Sequence, residues 1–507
     1  MGQQFDDRCA LPLALYRAVQ VRELDRIAIE DLGIPGAVLM ERAGLAAFRA
    51  LRQCWPAARK VVVVSGVGNN GGDGYVLARR ALEAGLQVRV CQLGDVLRLK
   101  GDALVAFQGM EKLGLRPVAF TAEALPWADV VVDAVFGTGL DREVTGVWSE
   151  ALTAMTASGV PVLAIDIPSG LHADTGRVLG TAVRAAVTMS FIGLKQGMFT
   201  AEGREYSGTI LFDDLAVPAE VYTRVASAAE RIAYADLQRQ LKPRARSAHK
   251  GNFGHVLVMG GDCGYAGAAR LAAEAAARVG AGLVTVATRG VHAAIIAANR
   301  PELMCHGAEA ADDVRPLLER ATVVAIGPGL GQSAWAEDML TAALNAKRPL
   351  VVDADALNLL ARDSARRRCD SGNSTDWVLT PHPGEAGRLL GCSAAEIQAD
   401  RFAALRALVA RLGGVCVLKG SGTLVLEQGG RIAVAEDGNP GMAVGGMGDV
   451  LTGIIAGLLA QGFGLADAAR LGVCLHGRAG DVAAMGGERG LLASDLLAAL
   501  RSLVNPP

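Results

Sequence analysis

Ser65-Gly66-Val67-Gly68-Asn69-Asn70-Gly71-Gly72-Asp73-Gly74 follows the β-branched run Lys60–Val64 without a break. A helix is expected to begin near Tyr75, where the glycines stop, and to run to Ala84. Gly66, Gly68 and Gly71 satisfy the G-x-G-x-x-G spacing. Between a strand and a helix, that spacing suits a phosphate or dinucleotide held on backbone N–H groups at a helix N-terminus. A tight turn needs glycine alone. The polar Asn69, Asn70 and Asp73 exceed that need and read as ligands.

Working outward, the same alternation of short Val/Ile/Leu runs and Ala/Leu/Arg helical stretches recurs in both halves. It reads as βαβ units around buried parallel sheets, so the fold class is α/β. Strands are expected at Lys60–Ser65, Leu86–Gln92, Asp129–Val135, Val160–Ile165, Ala186–Phe191 and Thr209–Phe212. In the second half they are expected at His255–Met259, Leu283–Ala287, Thr322–Ile326, Pro349–Val352, Trp377–Leu379, Val415–Leu418 and Thr423–Leu426. Val19–Arg52 looks helical with a break at Pro35-Gly36, and Gly267–Ala281 reads as a helix. The chain of 507 residues is too long for one ordinary domain. The Ala226–Ser247 stretch, rich in Ala, Arg, Gln and Lys, marks the boundary near 228, giving domains 1–228 and 229–507. Asp363–Asp376 is expected to be an exposed loop.

Composition narrows the function. Hydrophobic residues are 51% and charged residues 20%, with a net charge of -2, which argues against bulk nucleic-acid and polybasic membrane binding. No apolar run approaches the roughly 20 residues a membrane helix needs. With Asp6, Asp7 and Arg8 near Met1, no secretory signal is expected, and the nine cysteines form no Cys-x-x-Cys pair. A cytoplasmic homo-oligomer with reduced thiols is expected, with no nucleic-acid or membrane partner. No Lys follows a Gly, so a P-loop is absent.

Candidate site residues sit at strand ends, and parallel strands open their carboxyl ends on one edge. Asp133 precedes Gly137-Thr138-Gly139-Leu140, and Asp166 precedes Ile167-Pro168-Ser169-Gly170. Asn70, Asp73, Asp133, Asp166 and Ser169 should therefore converge, to bind a cation or move a proton. Lys195 either reaches the same edge or is an ordinary surface lysine. In the second half, Gly327-Pro328-Gly329-Leu330-Gly331, Asp353-Ala354-Asp355, Pro381-His382-Pro383-Gly384-Glu385 and Lys419-Gly420-Ser421-Gly422-Thr423 each follow a strand. Gly445-Gly446-Met447-Gly448-Asp449 opens a helix whose Leu451, Ile454, Ile455, Leu458 and Leu459 define one apolar face. Such a turn suits a phosphate. Asp449 reads either as a helix cap or as a base beside the phosphates.

These ordered motifs, with Ile34-Pro35-Gly36, Leu39-Met40-Glu41-Arg42-Ala43-Gly44, His249-Lys250-Gly251, Gly264-Tyr265-Ala266-Gly267-Ala268 and Gly280-Ala281-Gly282-Leu283-Val284, carry a resemblance. Over roughly residues 16–505 the chain resembles the bifunctional NAD(P)H-hydrate repair enzymes of YjeF type. These fuse an NAD(P)HX epimerase to an ADP/ATP-dependent NAD(P)HX dehydratase. The resemblance implies a Rossmann-like three-layer N-terminal domain and a ribokinase-like C-terminal domain. It implies that Asn69, Asn70, Gly71, Gly72, Asp73 and the loop Gly137, Thr138, Gly139, Leu140, Asp141, Arg142 and Glu143 hold the epimerase substrate. Glu143 stands where proline is common in the family. Asn70, Asp133 and Ser169 match potassium-binding positions, and Asp166 is the implied acid/base. In the dehydratase, Lys419, Gly420, Ser421, Gly422, Thr423 and Gly448 would bind the adenine nucleotide, with Mg2+ and backbone amides on its phosphates. Gly267, Gly331, His382 and Asp449 would contact S-NAD(P)HX, and bacterial members typically use ADP.

Three rival readings follow from the residues. A ribokinase-like kinase acting on a small hydroxylated vitamin precursor is permitted by the Gly-x-Gly-Asp motif. A non-catalytic dinucleotide-binding sensor would not need Asp133, Asp166 and Asp449. A dehydrogenase would need an acid ending the strand after the glycine turn. Asp95 follows Gly94 there and matches poorly.

Overall fold

The computed structural model describes residues 11–362 and 376–505, which fall into two compact units, Met1–Glu230 and Arg231–Pro507. Met1–Cys9 and, apart from Asp376, the expected loop 363–376 lie outside the described residues.

Each unit is built on a parallel sheet. In the first, seven strands run in the order Val118–Ala119, Gln87–Gln92, Lys60–Ser65, Val130–Ala134, Val162–Ile165, Val187–Phe191, Thr209–Asp213. All neighbours are parallel. Successive valines of Lys60–Ser65 point to opposite faces, as a pleated strand requires. Val61 and Val63 join the apolar cluster with helices Gly36–Cys54 and Asn69–Glu83, and Val62 and Val64 join that with helix Gly146–Ala157. Both faces are covered, so this unit has the three layers of a Rossmann-like fold. The chain passes from Lys60–Ser65 outward to Val118–Ala119, then returns to pair Val130–Ala134 on the other side. That reversal opens a crevice at the carboxyl ends of Lys60–Ser65 and Val130–Ala134.

The second unit orders its strands Met304–Gly307, Leu283–Thr288, His255–Met259, Val323–Ile326, Leu350–Val352, Trp377–Leu379, Val415–Leu418, Leu424–Glu427, Ile432–Ala435. The last two pairings are antiparallel and the rest parallel. Its reversal lies between His255–Met259 and Val323–Ile326.

Two expectations are corrected and one is refined. The helix after Ser65 begins at Asn69, not near Tyr75. Gly71, Gly72 and Gly74 are therefore helical, and they serve close packing. A Cβ at Gly71 would lie 2.2 Å from the Gly66 carbonyl oxygen, and one at Gly74 2.6 Å from the Ala134 Cβ. The helical stretch expected at Val19–Arg52 is present with its break at Pro35-Gly36: helix Ala18–Arg26, extended by a wider π-type turn at Ile27–Asp31, is followed by helix Gly36–Cys54. The helix Met447–Ala460 is not apolar on one face only, because every residue from Val450 to Ala460 is buried. Sequence periodicity underrates such a helix, since its small residues admit neighbours on every side. A Cβ at Gly453 would meet the Ala272 carbonyl oxygen at 2.0 Å, on helix Ala266–Arg278.

Gly453→Val should therefore force apart the central helix pair of the second unit. A loss of at least about 1–3 kcal/mol in denaturant unfolding is expected. An unchanged unfolding midpoint would show that the contact is not under constraint.

Candidate active sites

In the first unit the crevice gathers residues from three strand ends. Asp133 is fully buried. It accepts hydrogen bonds from Ser169 Oγ at 2.6 Å, Ser169 N at 2.8 Å and Val135 N at 3.2 Å. Ser169 Oγ in turn accepts from Phe136 N at 2.8 Å. Burial outweighs these donors and pushes Asp133 up to about 6. Asn70 donates through Nδ2 to the Phe136 carbonyl at 3.0 Å, while its Oδ1 is buried without a hydrogen-bond partner. A buried orphan acceptor costs free energy unless something binds it. Asp133 and Ser169 bring further oxygens to the same crevice.

Asp166 lies beside this group in the left-handed region, at φ 67, which a non-glycine residue adopts at a cost. Its Oδ1 pairs with Lys195 Nζ. That ammonium is fully buried and also donates to Ser190 Oγ at 3.1 Å and the Phe191 carbonyl at 3.0 Å. Lys195 is thus buried at the sheet edge against Asp166 rather than a surface lysine. Asp25 was not foreseen. Burial pushes its carboxyl up to about 6, the Asp166 charge adds to this, and Lys195 opposes it. Burial, Asp166 and Asp25 hold Asp73 well above its ordinary range. The sequence signal for Asp25 was slight: an acid directly after the buried Leu24 of an amphipathic helix.

The structure does not bring all of the implied loop into this cluster. Gly137 lies 3.4 Å, through a built Cβ, from the Asn70 Cβ, and Thr138 is half-buried. Leu140 packs in the apolar cluster, and Gly139, Asp141, Arg142 and Glu143 are exposed. Glu143 pairs with Arg177 at 3.3 Å in the open. Asn69 is exposed at the helix start, and Gly71 and Gly72 are buried behind it.

In the second unit the centre is a charge network. Asp353, 1% exposed, accepts from Lys419 Nζ at 2.7 Å on one oxygen and from Thr452 Oγ1 at 2.8 Å on the other. Burial pushes its pKa up, but Lys419 and these hydrogen bonds prevail and hold it below the ordinary range. Lys419 Nζ also lies 3.8 Å from Glu385. Gly446, at φ 89, leads into the helix carrying Asp449. No side-chain hydrogen bond caps that helix, so Asp449 is not its cap. Burial first, then the Asp353 charge, pushes Asp449 up to about 7, against Lys419.

The other implied residues lie at loops and helix starts of this unit. Gly331 N donates to Asp355 Oδ2 at 2.9 Å, and Gly267 is exposed in the first turn of helix Ala266–Arg278. His382 Nδ1 accepts from Gly384 N at 3.0 Å, which commits that nitrogen to capping helix Pro383–Leu390. Gly420, at φ 135, and Ser421 are exposed, Gly422 is buried, and Thr423 Oγ1 donates to the Gly420 carbonyl at 3.0 Å. Below them the fully buried Arg401 donates to the Leu418, Lys419 and Gly422 carbonyls. It holds the loop from inside. Among the described residues no group of three or more His, Cys, Asp or Glu is arranged to hold a metal.

Two family descriptions match the two units. "YjeF-related protein N-terminus" covers residues 36–197 and "NAD(P)H-hydrate dehydratase" covers residues 256–502. The bifunctional NAD(P)H-hydrate repair enzyme Nnr of Coxiella burnetii is 50% identical over 493 residues, 97% of this chain and 99% of that one. The chain belongs to the bifunctional NAD(P)H-hydrate repair enzyme family. Its Escherichia coli relative is 42% identical over 501 residues, 98% of this chain and 95% of that one. The ADP/ATP-dependent NAD(P)H-hydrate dehydratase from Bacillus subtilis, co-crystallized with ATP/Mg2+, aligns at TM-score 0.48 and 29% identity, over 54% of this chain and 96% of that one. In this repair enzyme family member, each unit holds a buried charge cluster, Asp133 and Asp166–Lys195 in one and Asp353–Lys419 in the other. No helix among the described residues is long and apolar enough to cross a membrane.

The raised Asp449 carboxyl links to stability. Folded, it holds a proton up to about 7, whereas its ordinary value is 3.8. Stability contributed by this group therefore falls as pH rises between those values. Asp449→Asn removes the burial penalty. Its thermal unfolding midpoint should exceed that of the parent at about pH 8 and converge with it at about pH 4. A midpoint difference independent of pH would contradict the assignment.

Proposed function

We propose that residues 1–228 epimerise R- and S-NAD(P)HX and that residues 229–507 dehydrate S-NAD(P)HX, consuming ADP and releasing AMP and phosphate. The observation that carries this reading is the paired arrangement of Asp166 and Asp449. Each stands among buried charges at the edge of its own sheet, where a ligand's reacting carbon or hydroxyl would lie.

In the epimerase, Asp166 is the acid/base at the hydrated C6, and Lys195 keeps its carboxylate oriented. Asn69, Asn70, Gly71, Gly72, Asp73 and the loop 137–143 hold the substrate. Potassium fits Asn70, Asp133 and Ser169 because Asn70 Oδ1 is a buried acceptor without a partner. Its positive charge would also support the ionised form of Asp133.

In the dehydratase, hydroxide is a poor leaving group and phosphate a good one. Asp449 takes the proton of the C6 hydroxyl as that oxygen forms a bond to the terminal phosphorus of ADP and AMP departs. The ring nitrogen's lone pair then expels phosphate, and loss of the C5 proton restores the dihydronicotinamide. Lys419, Gly420, Ser421, Gly422, Thr423 and Gly448 bind the nucleotide, and Gly267, Gly331 and His382 meet the substrate. Mg2+ neutralises phosphate charge when bound. With no acidic cage among the described residues, phosphate oxygens would supply most of its ligands. We further assign the protein to the cytoplasm as a homo-oligomer. The described cysteines are free, and Val291 and Ile295, one turn apart on helix Gly290–Asn299, are 68% and 60% exposed.

The test is recovery of NADH absorbance from mixed R/S NADHX with ADP, Mg2+ and K+. The parent should recover nearly all of it. Asp166→Asn should stop near the S fraction, and Asp449→Ala should slow recovery by about 10²–10⁴-fold. Failure of the parent with both ADP and ATP, with a stable phosphorylated product instead, would favour a small-molecule kinase. Asn70→Ala should reduce epimerisation by about 10-fold or more and abolish its response to exchanging K+ for Na+. An intact response would place the cation elsewhere.

A further inference from the structure

Asp353-Ala354-Asp355 ends strand Leu350–Val352, and its two carboxylates have no part in the reaction steps above. Ala354 adopts φ 47, a left-handed conformation unfavourable for alanine. The flanking acids serve different loops. Asp355 receives the Gly331 N–H at 2.9 Å, whereas Asp353 receives Lys419 Nζ at 2.7 Å and Thr452 Oγ1 at 2.8 Å.

Thr452 lies on the helix whose first turn carries Asp449, and Lys419 follows strand Val415–Leu418. One carboxylate thereby ties the nucleotide-binding loop to the helix of the proposed base. Gly448 completes the arrangement. A Cβ built there would stand 3.1 Å from Lys419 Nζ and 3.5 Å from Asp353 Oδ2. The missing side chain leaves the ammonium open towards the helix N-terminus, the place suited to phosphate.

We propose that Asp353 is a positioning residue of the dehydratase, which fixes the Lys419 ammonium beneath Gly448, facing the phosphoryl group that passes from ADP to the substrate hydroxyl. This rests on the dehydratase reading. A lysine serving only the outer part of the nucleotide would be mobile and solvated. Lys419 is instead 18% exposed and bound to a carboxylate that is itself 1% exposed. A buried carboxylate of this kind is tolerated only when paired, so the two charges hold each other in place. Glu385 lies 3.8 Å from the same ammonium and adds a second negative charge to it.

The test compares the parent, Asp353→Asn, Lys419→Met and the double variant in the full chain, with S-NADHX and ADP. Parent turnover is read first. Its absence removes the dehydratase reading, whereas normal parent turnover leaves that reading standing and tests this inference alone. Asp353→Asn should lower kcat by about 10²-fold while the calorimetric Kd for ADP changes less than about 3-fold. The acidic limb of kcat/KM should also move to lower pH. Asp353, Asp355 and Glu385 are the negative charges facing Asp449 and Lys419 is the positive one, so losing Asp353 favours the ionised base.

If Asp353→Asn is too unstable to assay, the double variant decides, because it removes both buried charges. For a pair acting as one unit its kcat should match that of Lys419→Met alone. Multiplied losses would overturn the proposal. So would an Asp353→Asn enzyme with parental kcat, or one whose acidic limb does not move.

Discussion

The constraint on which both sites depend is the burial of charge at the carboxyl ends of parallel strands. Those ends face one edge, and the layers that cover the sheet leave little water there. A carboxylate in such a place must find a cation, collect hydrogen-bond donors or take up a proton. Each solution occurs. Asp353 and Asp166 are paired with the buried or nearly buried Lys419 and Lys195. Asp133 collects donors from Ser169 and Val135, and burial still raises it to about 6. Asp449 favours the proton up to about 7. These differences are the raw material of acid/base chemistry, because neighbouring carboxyls with separated affinities can take different roles.

Close backbone packing makes the constraint sharper. In the first unit, Gly71 and Gly74 let helix Asn69–Glu83 press against the Gly66 backbone and the Ala134 side chain at the sheet edge. That brings Asn70 within reach of the Phe136 carbonyl at 3.0 Å. In the second, Gly453 and Gly457 let helix Met447–Ala460 sit against Ala272 and Ala276. Asp449 is thereby fixed relative to the sheet rather than carried on a surface helix. Rigid elements hold reacting groups more accurately than loops do. The more open parts are Gly420 and Ser421 in one unit and Gly139 and Asp141 to Glu143 in the other.

Much of this was legible in the chain. Runs such as Lys60–Ser65, His255–Met259 and Val415–Leu418 appear as strands at the expected bounds, because β-branched residues bounded by glycine or polar residues leave few alternatives. Strands with weaker signals were missed. Val118–Ala119 is exposed and only two residues long, and Met304–Gly307 is an edge strand with little burial. The start of the helix at Asn69 was also misplaced. Glycine disfavours helices by propensity, and only the tight packing at Gly71 and Gly74 shows why it is kept there. At the sites, Asp133, Asp166 and Asp449 stood out at strand ends and a helix start. Asp25, within an otherwise ordinary helix, did not.

By itself, then, the sequence determined the two α/β units, the strands that carry the chemistry and the motif residues at their ends. These follow from local periodicity and from glycine and acid placement, which a linear reading can see. Tertiary structure alone decided which charges pair. Lys195 with Asp166, and Asp353 with Lys419, join residues far apart in the chain. Such partners are set by strand order and by the depth of burial. Electrostatic energy depends on distance and solvent access in space, and sequence separation carries neither.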